Sequence, residues 1–205
     1  MKHARLIQLL ALLNTIIAIL GCIYFPEYII YGLIAWAFVN IFGTNIAIHR
    51  FMCHRSFKTG AIREKILKYL TIIPAFGSPL SWTAQHRYHH RYAGHPVDDN
   101  QSPDRIGYVR AWLTLYDPIT VPKTMVKDIL KDKDYMFITK HYWILLFTYI
   151  GVLYAIDPML GVFAFSFPAA CVYLQPAPLV LYLILNILGI LLLRLEKIVL
   201  LLIVR

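Results

Sequence analysis

The sequence predicts an all-α integral membrane protein. Its expected architecture is two transmembrane hairpins, about four spans, with a C-terminal apolar segment as a candidate fifth, around a cytoplasmic helical region that bears histidines. Three observations predict this. First, 59% of the 205 residues are hydrophobic and the mean hydropathy is +0.61, whereas soluble domains run at about 45–50% apolar. Second, the apolar residues come in runs long enough to cross a bilayer. Third, charge is gathered in one window: residues 49–140 hold 15 of the 20 Lys and Arg but only 8 of the 11 acids, a net +7. In a soluble chain such a patch would suggest nucleic acid. Flanked by apolar runs it follows the positive-inside rule instead, so nucleic acid is excluded as a partner and 49–140 is expected to be cytoplasmic.

The elements follow in order. Met1–Arg5 is a short basic start, and Leu6–Phe25 is an apolar run of spanning length. Basic residues before an apolar core also describe a signal peptide, and Ile19-Leu20-Gly21-Cys22 resembles a lipoprotein cleavage site. A second apolar run follows at once, with no exported soluble domain, which argues for a span. Pro26-Glu27 makes a tight turn, and Tyr28–Ile48 returns across the membrane to close the first hairpin. Residues 55–69 are mixed and basic. Ile66–Trp82 is apolar but punctuated by Pro74, Gly77 and Pro79, as expected of an interfacial or re-entrant segment. Residues 94–105 read as a polar loop, and 106–140 as a stretch lying on the membrane surface. Tyr142–Ile156 and Met159–Leu174, separated by Asp157-Pro158, form the second hairpin. Leu179–Arg205 is nearly pure Leu, Ile and Val, interrupted at Arg194-Leu-Glu-Lys.

Five of the 8 histidines fall in two clusters, each at the end of an apolar segment. His86, His89 and His90 stand at i, i+3 and i+4, which share one face of a helix, so their imidazoles are expected to converge as metal ligands do. His49 and His54 would lie about 140° apart on a straight α-helix, and can face one ion only if the helix ends or kinks between them. His3, His95 and His141 read as interfacial surface residues. Cys53 reads as a small packed residue, and Cys22, Cys53 and Cys171 show no disulfide or zinc-finger spacing. Haem would take an axial histidine from each of two helices. A zinc hydrolase would carry His-Glu-x-x-His, and neither cluster contains a glutamate. An all-imidazole site suits iron, copper or zinc. A redox metal at the mouth of a helical bundle could act on a lipid chain, where attack on an unactivated C–H bond demands a metal–oxygen oxidant.

These residues resemble the membrane fatty-acid desaturases, most closely the Δ9 (stearoyl-type) branch. His49-Arg-Phe-Met-Cys-His54-Arg-Ser-Phe-Lys is similar to the family's first histidine box. Gly77-Ser-Pro-Leu-Ser-Trp82 leading into His86-Arg-Tyr-His89-His90 is similar to the second. The order of hairpin, box, box, hairpin matches as well. The resemblance implies a non-haem di-iron centre with His49, His54, His86, His89 and His90 as iron ligands, and dioxygen as co-substrate. It implies a fatty-acyl substrate, linked to coenzyme A, a carrier protein or a lipid, whose saturated chain gains a cis double bond. It also implies an electron donor such as ferredoxin or cytochrome b5, for which the basic window would suit docking. The bacterial plasma membrane is favoured over the endoplasmic reticulum.

The sequence departs from the family in one respect. The third box, His-x-x-His-His after the fourth span, is missing, because no histidine follows His141. Asn186 could stand for the family's asparagine ligand, but the histidine expected four residues later is Ile190, and Asn186 is not assigned. Residues 1–174 are therefore expected to form the desaturase-like membrane domain. Residues 175–205 are expected to be an apolar tail unlike the family, the mark of a truncated or frame-altered product that holds iron weakly or as a single ion. The alternatives are a non-catalytic metal-binding membrane protein and a related alkyl-chain hydroxylase.

Overall fold

The computed structural model describes residues 4–93 and 119–174, together with residues 95, 103–107, 110, 111, 114 and 199. Among them there are helices and no strands. Helix α1 is Ala4–Tyr24. Its polar Asn14 and Thr15 donate to the carbonyls of Leu10 and Ala11, at 2.8 Å each, so neither exposes an unmet donor to lipid. A short 3-10 turn, Pro26–Tyr28, reverses the chain. Helix α2 (Ile29–Phe38) then runs without a break into a π-helical segment, Val39–Cys53. Helix α3 is Ala61–Leu70, α4 is Pro79–Tyr92, and α5 is Pro103–Ile106. A 3-10 turn, Lys123–Val126, leads into α6 (Lys127–Lys131) and α7 (Lys133–Ile156). The chain closes with α8 (Pro158–Leu160), a π segment (Gly161–Ser166) and α9 (Phe167–Leu174), which run on as one short apolar helix.

Among the described residues, three helices are long and apolar enough to cross a membrane: Leu6–Tyr24, Pro26–Cys53 and Lys133–Ile156. Pro158–Leu174 is apolar but shorter. The third starts nine residues before the apolar run predicted at Tyr142, because Asp132 caps it by accepting from the backbone N–H groups of Asp134 and Tyr135. Its first turns bury Tyr135, Ile138 and Tyr142 against the cytoplasm-predicted elements. The stretch predicted as one segment at 66–82 is divided. Helix α3 ends, the chain turns through Ala75 (φ 58) and Gly77 (φ 97), and α4 begins afresh at Pro79. Ser78 caps α4, its hydroxyl accepting from Ser81 N, and Pro79 occupies the first-turn position where a missing N–H costs nothing. The Gly77 N–H is not lost: it donates to the Tyr142 hydroxyl at 3.1 Å, which ties the turn to α7.

Small residues set the helix spacing. A Cβ on Gly32 would stand 2.9 Å from the Phe167 ring, and one on Gly43 would stand 2.8 Å from Pro74. Close backbone approach at such residues substitutes for the hydrophobic drive that lipid removes. A polar thread also crosses the bundle. The Ser166 hydroxyl donates to Asn14 Oδ1 at 2.8 Å and lies 3.1 Å from the Tyr154 hydroxyl, joining α1, α7 and the last apolar helix. Outside the apolar bundle, Lys68 on α3 is only 5% exposed. Its ammonium meets Asp132 at 2.7 Å, Glu64 at 3.0 Å and Asp134 at 3.2 Å, and sits over the Tyr135 ring. This charge cluster fastens α3 to the start of α7.

Candidate metal centre

His49 and His54 come from the last turns of the second long helix. That helix has 28 residues, and at about 1.5 Å per residue it exceeds a hydrocarbon core of about 30 Å, so its end projects beyond the apolar layer. The angular mismatch expected for an α-helix is removed by its winding. In the π segment the His54 N–H donates to the His49 carbonyl, five residues back, at 3.0 Å. The two rings then stand 4.7 Å apart, centroid to centroid. The segment ends in a left-handed residue, Arg55 (φ 53), and the Ser56 N–H returns to the Arg50 carbonyl, six residues back, at 2.9 Å, one residue wider than the closure that ends an α-helix in this way.

Helix α4 brings the other pair. His86 and His90, one turn apart, have Nε2 atoms 2.9 Å from each other. The two pairs interlock: His49 lies 4.9 Å from His86 and His54 lies 4.8 Å from His90, by ring centroids. One nitrogen from each of His49, His54, His86 and His90 falls within 4.8 Å of all the others. Two imidazole nitrogens on opposite sides of one ion at about 2.1 Å would stand roughly 4.2 Å apart. A contraction of a few tenths of an ångström per ring would therefore let all four bind a single ion. The donor set fits a histidine-ligated transition metal.

Five histidines were expected at the centre, and four converge. His89 is not in the four-nitrogen group; its ring centroid is 5.8 Å from that of His90. The reason is angular. Measured from His86, positions i+3 and i+4 fall on opposite sides and about 100° from each other, so a site that takes His90 turns His89 away. Cys53 is buried, as expected of a packed residue, and lies outside the group. His3, Asn186 and the tail 175–198 lie outside the described residues.

Burial keeps the site in its ligand-ready form. Desolvation, followed by the neighbouring rings of His49, His90, His54 and His89, pushes His86 down to about 3. Burial, then His90 and Arg87, lowers His54 as well. Both rings are thus neutral at pH 7, with lone pairs free for a metal. Trp82 lies flat against His86, with centroids 4.4 Å apart and planes 17° apart, and Phe76 stacks behind it at 6.4 Å. This pair fixes the His86 ring on its apolar side.

Two residues that sequence reasoning left without a role hold the halves together. Arg87 donates to the carbonyls of Cys53 (2.8 Å), Met52 (3.2 Å) and Met125 (2.8 Å), and to both carboxylate oxygens of Asp128 (2.7 and 2.9 Å). Asp128 also accepts from Arg55 at 3.1 Å. Hydrogen bonds from Arg87 hold the Asp128 carboxyl well below the usual carboxylate range. Arg87 was visible inside the second box. Asp128, 41 residues away, carries no local sequence signal.

The sequence profile of the family described as "Fatty acid desaturase" matches residues 6–196. The chain is 30% identical over 163 residues to the hex-5-enoyl-[acyl-carrier protein] acetylenase of Moorena producens (strain JHB), a match covering 71% of this chain and 50% of the relative. It is 31% identical to the sn-1 stearoyl-lipid 9-desaturase of Anabaena variabilis, over 49% of this chain and 38% of the relative. It is 26% identical to the Delta-9 acyl-lipid desaturase 2 of Arabidopsis thaliana, over 60% of this chain and 42% of the relative. The matches thus span half or less of these relatives' length. No solved structure matches the chain.

Proposed function

The chain belongs to the fatty acid desaturase family, and from that premise we propose that it introduces a cis double bond into a saturated fatty-acyl chain, with dioxygen as co-substrate and iron held by His49, His54, His86, His89 and His90. The observation that carries this reading is the meeting of four imidazoles from two separate helices at the end of a membrane-length helix. A di-iron centre is proposed: His49, His54, His86 and His90 would hold one iron, and His89, on the neighbouring side of α4, would contribute to the second, which needs further ligands that these five histidines do not supply. Bound there, the iron pair supplies the oxidising power that removing hydrogen from an unactivated C–H bond requires. The acyl chain loses two hydrogens, the donor supplies two electrons and the solvent two protons, and dioxygen is reduced to two waters.

The protein's own residues position the reactants. Trp82 and Phe76 form an aromatic wall between His86 and a cavity lined by Ile7, Asn14, Phe76, Trp143, Phe165 and Tyr173. In this reading the acyl chain lies along that wall, which also keeps bulk water from the apolar side of the centre. Pro158–Leu174 completes the second hairpin as a fourth, short crossing. Both histidine pairs then face the cytoplasm, where the net +7 of residues 49–140 receives an acidic donor such as ferredoxin, or cytochrome b5. The printed names of the relatives include acyl-lipid, acyl-carrier-protein and acyl-CoA substrates, so the family supports all three carriers. Four of the relatives are named for position 9 and three for position 5; the larger group supports a Δ9 product.

The test is product analysis. The chain is expressed in bacterial membranes with a reducing system, fed fully deuterated stearate, and the acyl chains are resolved by gas chromatography and mass spectrometry. The expected product has lost two deuteriums and carries one cis double bond. An alcohol with no alkene would make the protein a hydroxylase. An unchanged acyl pool in membranes whose purified protein holds iron would contradict oxidation altogether.

A further inference from the structure

We propose that Arg87 is a positioning residue for the metal centre: with Asp128, it sets the distance between the His49–His54 pair and the His86–His90 pair. The inference rests on the reading of these four histidines as metal ligands. An arginine offers five N–H donors in a rigid plane, and here all five are used: Nε on Cys53, one terminal nitrogen on Met125 and Asp128, the other on Met52 and Asp128. The Met52 and Cys53 carbonyls belong to the last turn of the helix that ends at His54, where carbonyls have no partner further along the helix. A cation there also meets the negative end of the helix dipole. Arg87 itself sits on α4, next to His86. A single side chain therefore bridges the backbone that carries one histidine pair to the helix that carries the other.

Asp128 makes the bridge rigid. It fixes the guanidinium plane through two oxygens and accepts a second arginine, Arg55, from the residue directly after His54. Arg55 holds a left-handed backbone (φ 53), unfavourable for a residue other than glycine, and its side chain is anchored on Asp128. The Arg87 guanidinium is partly screened from water, with 20% of its side chain exposed. In this network Arg87 bonds backbone carbonyls and Asp128, and Asp128 bonds the two arginines. Their effect on the metal passes through the backbone positions of His49, His54 and His86.

The experiment titrates cobalt(II) into the detergent-purified full chain and follows its visible ligand-field bands. Arg87→Lys keeps the charge but offers three donors on one nitrogen, which cannot replace five bonds to three carbonyls and both oxygens of a carboxylate. Asp128→Asn keeps the shape and loses the charge. Both are expected to weaken cobalt binding by about tenfold or more, in the range known for residues that orient metal ligands, and to broaden the bands, while thermal midpoint and gel-filtration profile stay near those of the parent. Cobalt affinity and bands equal to the parent's in either variant would overturn the proposal. Collapse of both variants on gel filtration would overturn it too, by making the network a requirement for folding rather than for metal geometry. A parent chain that binds no cobalt would instead remove the metal centre, and the positioning role with it.

Discussion

Replacing any one of His49, His54, His86 or His90 by alanine is expected to lower iron affinity by more than about a hundredfold. The expectation follows from the geometry. Each supplies one nitrogen to a group whose members all lie within 4.8 Å of one another, and no carboxylate or thiol in that group can take over. The loss of a ligand should exceed the 10–100-fold cost of losing a residue that merely orients one. His89→Ala is expected to behave differently. Its ring stands apart from the four, so it should affect only a second, weaker ion and leave the tighter ion in place. His141→Ala, whose ring nitrogen lies 2.9 Å from the Phe137 carbonyl, should change neither. Iron per chain, measured at fixed free iron by elemental analysis, checks all three expectations. Equal retention across His49→Ala, His86→Ala and His141→Ala would contradict them.

The second large effect is expected at Lys68. Burial lowers its pKa, but hydrogen bonds to Asp132, Glu64 and Asp134 more than offset this, so the ammonium is held above its ordinary range. A raised folded-state value means that the stabilisation is fully present below the unfolded value of about 10.4 and is lost as pH rises through the folded one. It is therefore constant from pH 5 to 9. Lys68→Met removes the cation and leaves three carboxylates facing one another around a buried methyl group. Breaking a buried ion pair from one side costs about 3–5 kcal/mol. The side chains of Glu64 and Asp134 are 39% and 44% exposed, so water recovers part of this, and about 2–3 kcal/mol is expected. Unfolding of the detergent-solubilised variant measures it. A variant as stable as the parent at pH 7 would contradict this role for Lys68.

The parts legible in the sequence were those set by local rules. Bilayer thickness imposes a length on apolar helices, so Leu6–Tyr24 and the helix returning from Pro26 could be read from hydropathy alone. The 3.6-residue period puts His86, His89 and His90 on one face of a helix, and the structure brings His86 and His90 into the four-nitrogen group while His89 stands beside it. That same period could not choose between His89 and His90 as partners of the first pair. The choice is made by the helix across the site, whose winding was not legible. His49 and His54 face one point because Val39–Cys53 is wound with i to i+5 hydrogen bonds, and nothing in Val-Asn-Ile-Phe-Gly announces this.

Long-range polar contacts were invisible for a related reason. Lys68 finds its acids 64 and 66 residues later, and Arg87 finds Asp128 after 41. In sequence all of these read as solvated charges in a basic stretch. The start of α7 at Lys133 was missed because its first turns are amphipathic, with Tyr135 and Ile138 inward and charge outward, so a hydropathy run registers only from Tyr142.

The central claim is that histidines from two helices ligate iron at the end of a membrane bundle. X-ray absorption at the iron edge of the purified, iron-loaded chain tests it most directly. The predicted spectrum has a first shell dominated by nitrogen near 2.1 Å, with the outer-shell scattering of several imidazole rings, and His86→Ala loses part of that imidazole signal. A first shell of oxygen alone, unchanged in His86→Ala, would show iron held elsewhere and would contradict the account.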